Sequence, residues 1–318
     1  MPAAPAHLAV ADVSAARSRV ELRGADRRAF LHNFSTNDIR NLADGDGCEA
    51  FLLNAKGQVL FYVQVWQRPE SIVLEAGAGR GAALLKHLDR YIIREKVTVH
   101  DRTTEWGEAI VVGDAAASVL QSTLAVDLPE RPNASVDVTG SADVTLTRLP
   151  WSPQTAWALV GPTAEIESIR ARLIAAGAEP STSETLEALR IEAGLPLDGV
   201  DTSEKNLAQE IDRNDRTLHF RKGCYLGQET VARLDAMGHV NKTLVGLRFA
   251  SDDLAAVPAA GLELTAGGAS VGHVTSAAHS ARLGRWIALG YVRQGSNVPG
   301  TRLDSSCGPV DVVQLPQA

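Results

Sequence analysis

The sequence predicts an α+β protein: a long mixed portion followed by a small terminal antiparallel β-barrel. Three observations carry that expectation. Strand-like and helix-like segments alternate through the first half, and a helix over residues 184–193 stops at Gly194 and Pro196. From Asn241 onward the chain turns to glycine-rich, short apolar runs. At 318 residues the chain can bury a substantial core, and length alone suggests two or three domains. The change of texture sets the division at residues 1–240 and 241–318.

Taken in order, residues 20–22 read as a short strand. Gly24 and Ala25 then lead into a helix starting near Asp26, with Phe30, Leu31 and Phe34 on its apolar face. Residues 48–53 and 59–66 read as two strands around the turn Asn54-Ala55-Lys56-Gly57. Residues 72–74 are another strand, followed by a helix through Leu84, Leu85, Leu88 and Tyr91. Strand resumes at 106–112, and Asp114 suits the N-cap of a helix over 115–120. Residues 127–140 carry prolines, Asn133 and acidic residues without periodicity, and read as a loop. Two strands and a helix over 164–175 follow. The helix over 184–193 ends where Gly194 suits a left-handed cap and Pro196 cannot continue it. Residues 228–237 form a further helix, and the terminal portion holds strands at 243–249, 271–276, 286–292 and 310–315.

Composition excludes several classes. Apolar residues make up 45% and charged residues 22%, as in ordinary folded domains. The formal charge of −7, from 31 basic and 38 acidic side chains, argues against direct nucleic-acid binding, which needs a basic surplus; a local basic patch stays open. The N-terminal 23 residues lack the apolar region of a signal peptide, and no stretch approaches the length of a membrane span. Cys48, Cys224 and Cys307 are odd in number and far apart, with no CxxC pair, so neither a disulfide framework nor a metal site held by this chain alone is expected. The expected compartment is a reducing cytosol. His219, His239 and His273 show no metal-binding spacing. Gly77-Ala78-Gly79-Arg80-Gly81 hints at a phosphate loop but lacks the dinucleotide fingerprint, and a helix-entry loop is the better reading.

The most specific segment is Lys222-Gly223-Cys224-Tyr225-Leu226-Gly227-Gln228-Glu229. Gly223 and Gly227 bracket the cysteine and permit tight or positive-φ backbone. Cys224 stands just upstream of a helix N-terminus with Arg221 and Lys222 nearby, a setting that stabilises a thiolate. Against this, most free cysteines are small buried hydrophobes. The octapeptide resembles the K-G-C-Y-x-G-Q-E signature of YgfZ proteins, relatives of the glycine-cleavage T-protein. The resemblance extends over nearly the whole chain. Residues 23–38, ending Ser35-Thr36-Asn37-Asp38, look like the T-protein N-terminal helix and its T-N-D turn. Residues 189–197 look like the L-R-x-E-A-G-x-P stretch, and residues 271–292 like the barrel segment containing V-T-S. The resemblance implies a three-domain ring around a folate pocket. Residues 1–240 would be a folate-binding module of two ferredoxin-like subdomains, and residues 241–318 the barrel.

Glu192 falls in the last turn of its helix, where the macrodipole disfavours a carboxylate by roughly 0.3–1 kcal/mol. It is tolerable there on a solvated surface; the alternative is that it accepts hydrogen bonds from a ligand, and a pterin offers an N–H and an exocyclic amine side by side. The resemblance favours the ligand role. Asn37, Asp38 and Asn54 border the pocket in the family, yet Asn and Asp also form turns for local reasons. T-proteins carry an Asp pair after the strand-entering glycine. The matching stretch here is Gly57-Gln58-Val59-Leu60-Phe61-Tyr62, and no acidic residue falls between Glu49 and Glu70. Neither aromatic replaces a carboxylate beside the folate nitrogen. The resemblance thus implies a tetrahydrofolate-binding accessory factor for iron–sulfur proteins, with Cys224 as the functional thiol, Lys222 beside it, and iron–sulfur client or assembly proteins as partners. Effects on tRNA modification would be indirect. The rivals are a true aminomethyltransferase, a direct tRNA-modification or RNA-binding protein, and a scaffold in which Cys224 is silent.

Overall fold

The structure, a computed structural model, describes residues 8–317 apart from residues 142, 152, 153 and 253. The chain divides into two compact units. The first comprises residues 8–50 with Val63–Ser183, and the second Phe51–Tyr62 with residues 184–317.

The elements up to residue 180 are β1 (Ala9–Asp12), β2 (Arg17–Arg23), α1 (Arg27–Phe34), β3 (Gly47–Leu53), β4 (Val59–Gln67), β5 (Ser71–Gly77), α2 (Gly81–Asp89), β6 (Thr98–Asp101), β7 (Trp106–Val112), α3 (Ala116–Leu124), β8 (Ser135–Asp137), β9 (Thr145–Arg148), β10 (Ala156–Pro162), α4 (Thr163–Ala175) and β11 (Glu179–Pro180). They build two sheets, ordered β3-β4-β5-β2-β6 and β11-β1-β7-β10-β9-β8. In the second of these β7 is buried along its whole length, between antiparallel β1 and β10. Val10, Val111, Leu120, Trp157, Leu159, Ile169 and Leu173 pack α3 and α4 onto this sheet. That burial, worth about 25 cal/mol per Å² of apolar surface, is what holds helices of such modest amphipathicity in place.

Beyond residue 182 come α5 (Ser183–Glu192), α6 (Asn214–Thr217), α7 (Gln228–Met237), β12 (Lys242–Phe249), β13 (Glu263–Ala266), β14 (Ala269–Ser280), β15 (Arg285–Arg293), β16 (Arg302–Leu303) and β17 (Val310–Val313). Strands β13-β14-β15-β12-β17-β16 form an antiparallel, barrel-type sheet. A register shift between Val274 and Ser276 bends β14, as closing a small barrel requires. Phe51, Tyr62, Ile191, Ile211, Val231 and Leu289 form one core of this unit.

The structure corrects the sequence reading at several places. The segments β1, β8, β13 and β16 were not expected as strands; each is two to four residues long and draws its stability from pairing, not from a readable pattern. Asp114 is not the cap of α3, whose N-cap is Ala115 with no side-chain hydrogen bond. The helix-entry reading of residues 77–81 holds, since α2 begins at Gly81 and no phosphate loop forms there. A Cβ on Gly81 would lie 2.7 Å from the Asp101 carboxylate, so an anion already occupies the start of α2. Among the described residues no helix is long and apolar enough to cross a membrane.

Candidate functional site

The loop at residues 222–229 is built around Gly227, which precedes α7 at φ 84°. A Cβ there would sit 2.5 Å from the carbonyl oxygen of Asn54, so only glycine lets the loop close onto the Asn54–Gly57 turn. The turn is self-contained. Asn54 Oδ1 accepts the N–H groups of Lys56 (2.9 Å) and Gln58 (3.1 Å), and its Nδ2 donates to Gln58 Oε1 at 2.9 Å. Gly57, at φ 75°, leaves room for Thr230 of α7. Turn and loop therefore interlock through two glycines, and the side chain of Asn54 is spent inside its own turn.

Cys224 is exposed, Cys48 half-buried and Cys307 buried. Lys222 is largely buried, with its ammonium 5.0 Å from the centre of the Tyr225 ring. Burial pushes the Tyr225 phenol up to about 12, so it stays neutral. Gln228 Oε1 accepts the Tyr225 N–H at 3.4 Å, while Glu229 stands exposed in the first turn of α7, where a negative charge suits the dipole.

Glu192 is the last residue of α5 and is 1% exposed, which overturns a solvated surface position. Ser280 Oγ donates to its Oε1 and Arg282 Nε to its Oε2 at 2.7 Å. Arg282 thus offsets the unfavourable helix end. The main-chain oxygen of Glu192 accepts the Gln317 N–H at 2.7 Å, and Arg282 Nη2 donates to the Gln317 carbonyl at 2.8 Å. The Gln317 side chain is 2% exposed, yet neither atom of its amide has a partner. Gln317 also borders a cavity of about 660 Å³ with Arg248, Gly300, Arg302 and Asp311.

Two residues before Glu192, Arg190 uses all five of its N–H groups. They go to Glu187 twice, the Leu195 carbonyl, Asp201 and Ser276. Asp201 is equally saturated, accepting from Arg190, the Leu197 N–H, Thr275 and Ser276. This network fixes the end of α5, and with it Glu192, against the loop after it and β14. The position of Arg190 inside L-R-I-E-A-G was visible in the sequence. Ser280, Arg282 and Gln317 gave no signal, being about 90 residues or more away along the chain.

On β4, Phe61 and Tyr62 are both buried. The Tyr62 N–H donates to Asp198 Oδ1 at 2.9 Å, and Thr202 Oγ1 to the same atom at 3.3 Å. Asp198, overlooked in the sequence, is thus a buried carboxylate against the backbone of the strand whose own side chains lack one. Asn37 and Asp38 lie in the first unit, whereas Glu192, Asn54 and the 222–229 loop lie in the second. Asn37 Nδ2 donates to the Glu49 carbonyl at 2.9 Å and its Oδ1 accepts the Asp38 N–H at 2.8 Å. Asp38 lies 3.3 Å from His32 and accepts from Asn41 Nδ2 at 2.7 Å. Both follow turn chemistry.

Two family descriptions match the chain: the GCVT N-terminal domain over residues 3–214 and the glycine cleavage T-protein C-terminal barrel domain over residues 242–316. The chain belongs to the glycine cleavage T-protein family. A chloroplastic protein of Arabidopsis thaliana named as a transferase is 26% identical over 87% of this chain and 63% of its own length. An aminomethyltransferase of Rubrobacter xylanophilus is 27% identical over 86% of this chain and 73% of its own. The tRNA-modifying protein YgfZ of Yersinia pestis is 29% identical over 77% and 72%. The crystal structure of aminomethyltransferase T from Bartonella henselae superposes with a TM-score of 0.85, covering 98% of this chain and 86% of that one at 20% identity. The fold is the T-protein fold, with its antiparallel C-terminal barrel.

Proposed function

We propose that the chain is a tetrahydrofolate-binding T-protein relative of the YgfZ type, an accessory factor for iron–sulfur protein maturation and not an aminomethyltransferase. One observation carries this reading: β4 presents Phe61 and Tyr62 and no carboxylate, while the 222–229 loop presents an exposed thiol at Cys224. The chemistry of Glu192 and Gln317 supports folate as the ligand. Glu192 Oε1 and Oε2 each retain a lone pair beyond Ser280 and Arg282, suited to the N–H and amine edge of a pterin. The orphaned Gln317 amide beside them is a further hydrogen-bonding group in need of a partner. Tetrahydrofolate, when bound, supplies a carrier for one-carbon groups. Cys224 contacts the client or a small thiol, in a reducing cytosol. The tRNA-related name of the YgfZ relatives fits an indirect route through an iron–sulfur modifying enzyme, since the chain carries a net charge of −7.

Calorimetric titration with tetrahydrofolate tests the pocket. Glu192→Ala should weaken binding roughly ten- to hundredfold, the loss of a charge-assisted contact of about 1.5–3 kcal/mol. Equal affinity would remove Glu192 from the site. In a deletion strain, Cys224→Ala should fold yet fail to restore iron–sulfur enzyme activity; full complementation would make the thiol structural.

The second reading, a true aminomethyltransferase, gains from Asp198, which brings a buried carboxylate to β4 from another segment. Aminomethylated lipoyl carrier and tetrahydrofolate should give no product above the uncatalysed rate. Turnover that Asp198→Asn abolishes would establish the second reading instead.

A further inference from the structure

The segment after α2 displays a combination that the folate and thiol chemistry does not use. Lys86 and Arg90, four residues apart, share one face at the end of α2 and its continuation. Arg94 and Lys96 follow in the loop, and all four side chains are exposed. None of the four makes an ion pair among the described residues, within a chain whose net charge is −7. Between them stands Ile93, 84% exposed, the most exposed large apolar side chain described.

The display is held in place and is not a fraying loop. Glu95 Oε2 accepts the N–H groups of Ile93 (2.8 Å) and Arg94 (2.9 Å), so the one carboxylate inside the loop is tied to its backbone. The Lys96 N–H donates to Asp26 Oδ2 at 2.7 Å. Tyr91 anchors the near side, stacked on Phe34 at 4.5 Å and met edge-on by His87 at 5.4 Å. His87 itself is neutral, its imidazole lowered to about 4 by burial and by Arg90.

We infer that residues 86–96 form a docking surface for an acidic, amphipathic segment of a partner protein, with Ile93 as the apolar anchor and Lys86, Arg90, Arg94 and Lys96 as its rim. An apolar centre ringed by charge is the anatomy of a protein interface, and unpaired cations select an acidic partner. Nucleic acid fits less well. Base recognition on a basic surface uses free aromatic faces, and here Tyr91 has Phe34 on its ring and the Arg90 guanidinium 4.9 Å from its centre. The group left exposed is aliphatic and cannot stack.

The test uses the full chain and a short fluorescein-labelled peptide of Glu-Glu-Leu repeats, read by fluorescence anisotropy. The peptide should bind, with affinity falling as salt rises. Arg94→Glu and Ile93→Ser should each weaken it roughly three- to tenfold, while leaving tetrahydrofolate affinity unchanged. Because both side chains point into solvent, the variants should keep the wild-type circular dichroism. Absence of peptide binding, or binding indifferent to both variants, would overturn the inference. So would tighter binding of a labelled single-stranded RNA, which would make the surface a phosphate binder. Self-association abolished by Ile93→Ser would overturn it in favour of a second copy of the chain.

Discussion

Each unit buries an arginine among carboxylates, and the two surroundings differ. Arg190 in the second unit has a partner for every donor, and Asp201 opposite it has one for every lone pair. Arg19 in the first unit, fully buried, faces two carboxylates: Glu108 at 2.5 Å and Glu75 at 3.8 Å. Here the accounts do not close, since Arg19 Nε and Glu75 Oε2 are buried without a hydrogen bond. Burial, and then the neighbouring Glu108, hold the Glu75 carboxyl well above the usual range. Glu108 goes the other way: burial opposes its charge, but Arg19 and its other neighbours outweigh that and lower it. One cluster is saturated and single-valued. The other is not: Glu75 lies between Arg17 at 3.4 Å and Arg19 at 3.8 Å with its carboxyl held above the usual range, so a second carboxyl stands beside Arg19.

The largest effect should therefore come from Arg190→Ala. It strands Asp201 as an unpaired buried charge and should cost about 3–5 kcal/mol, measured by urea unfolding. A loss below about 1 kcal/mol would mean that the network adds no stability. Glu108→Gln should cost less, about 1–2 kcal/mol, because Glu75 stays beside Arg19 and, without the Glu108 charge that raises its carboxyl, can serve as the counter-ion. Only the double change Glu75→Gln, Glu108→Gln should approach the Arg190→Ala loss, and simple additivity of the two single changes would contradict this role of Glu75.

The smallest effect, and the most pH-dependent, belongs to Glu75→Gln, within about 1 kcal/mol of wild type near neutrality. The raised carboxyl fixes the sign. Above the unfolded value near 4.5, the folded chain keeps a proton that the unfolded chain has released. The contribution is thus fully present below that value and is lost as pH rises through the folded one. Wild-type stability should carry this downward slope as pH rises above the unfolded value near 4.5, and Glu75→Gln should remove it. An unchanged slope in the variant would place the proton elsewhere.

How far the sequence could be read follows the same distinction between local and distant causes. The helix α7 and the strand β7 appear at the expected residues, and Gly194 has the positive φ of its cap, because apolar spacing and backbone chemistry are local. The short strands β1 and β8 escaped notice because their identity lies in their partners. Within the site, Glu192 and Gly227 were legible from a misplaced carboxylate and a paired-glycine loop. What surrounds them was not. Ser280 and Arg282 meet Glu192 from 88 and 90 residues away, and Asp198 reaches Tyr62 across 136. No periodicity encodes such distances. Lys222 is a subtler case: its sequence position beside Cys224 was plain, but burial lays its ammonium over Tyr225.

The division of the chain has a consequence for its synthesis. Phe51–Tyr62 belongs to the unit whose remaining residues begin at Glu184. Its Phe51, Leu53, Val59 and Tyr62 are destined for a core with Ile191, Ile211 and Val231. Roughly 120 residues separate the two parts, so at ordinary ribosomal speed this adhesive segment waits on the order of ten seconds for its partners. The nascent chain therefore passes through an interval in which a hairpin tip shows water an apolar face that the finished protein hides, and that interval is when a chaperone would find it.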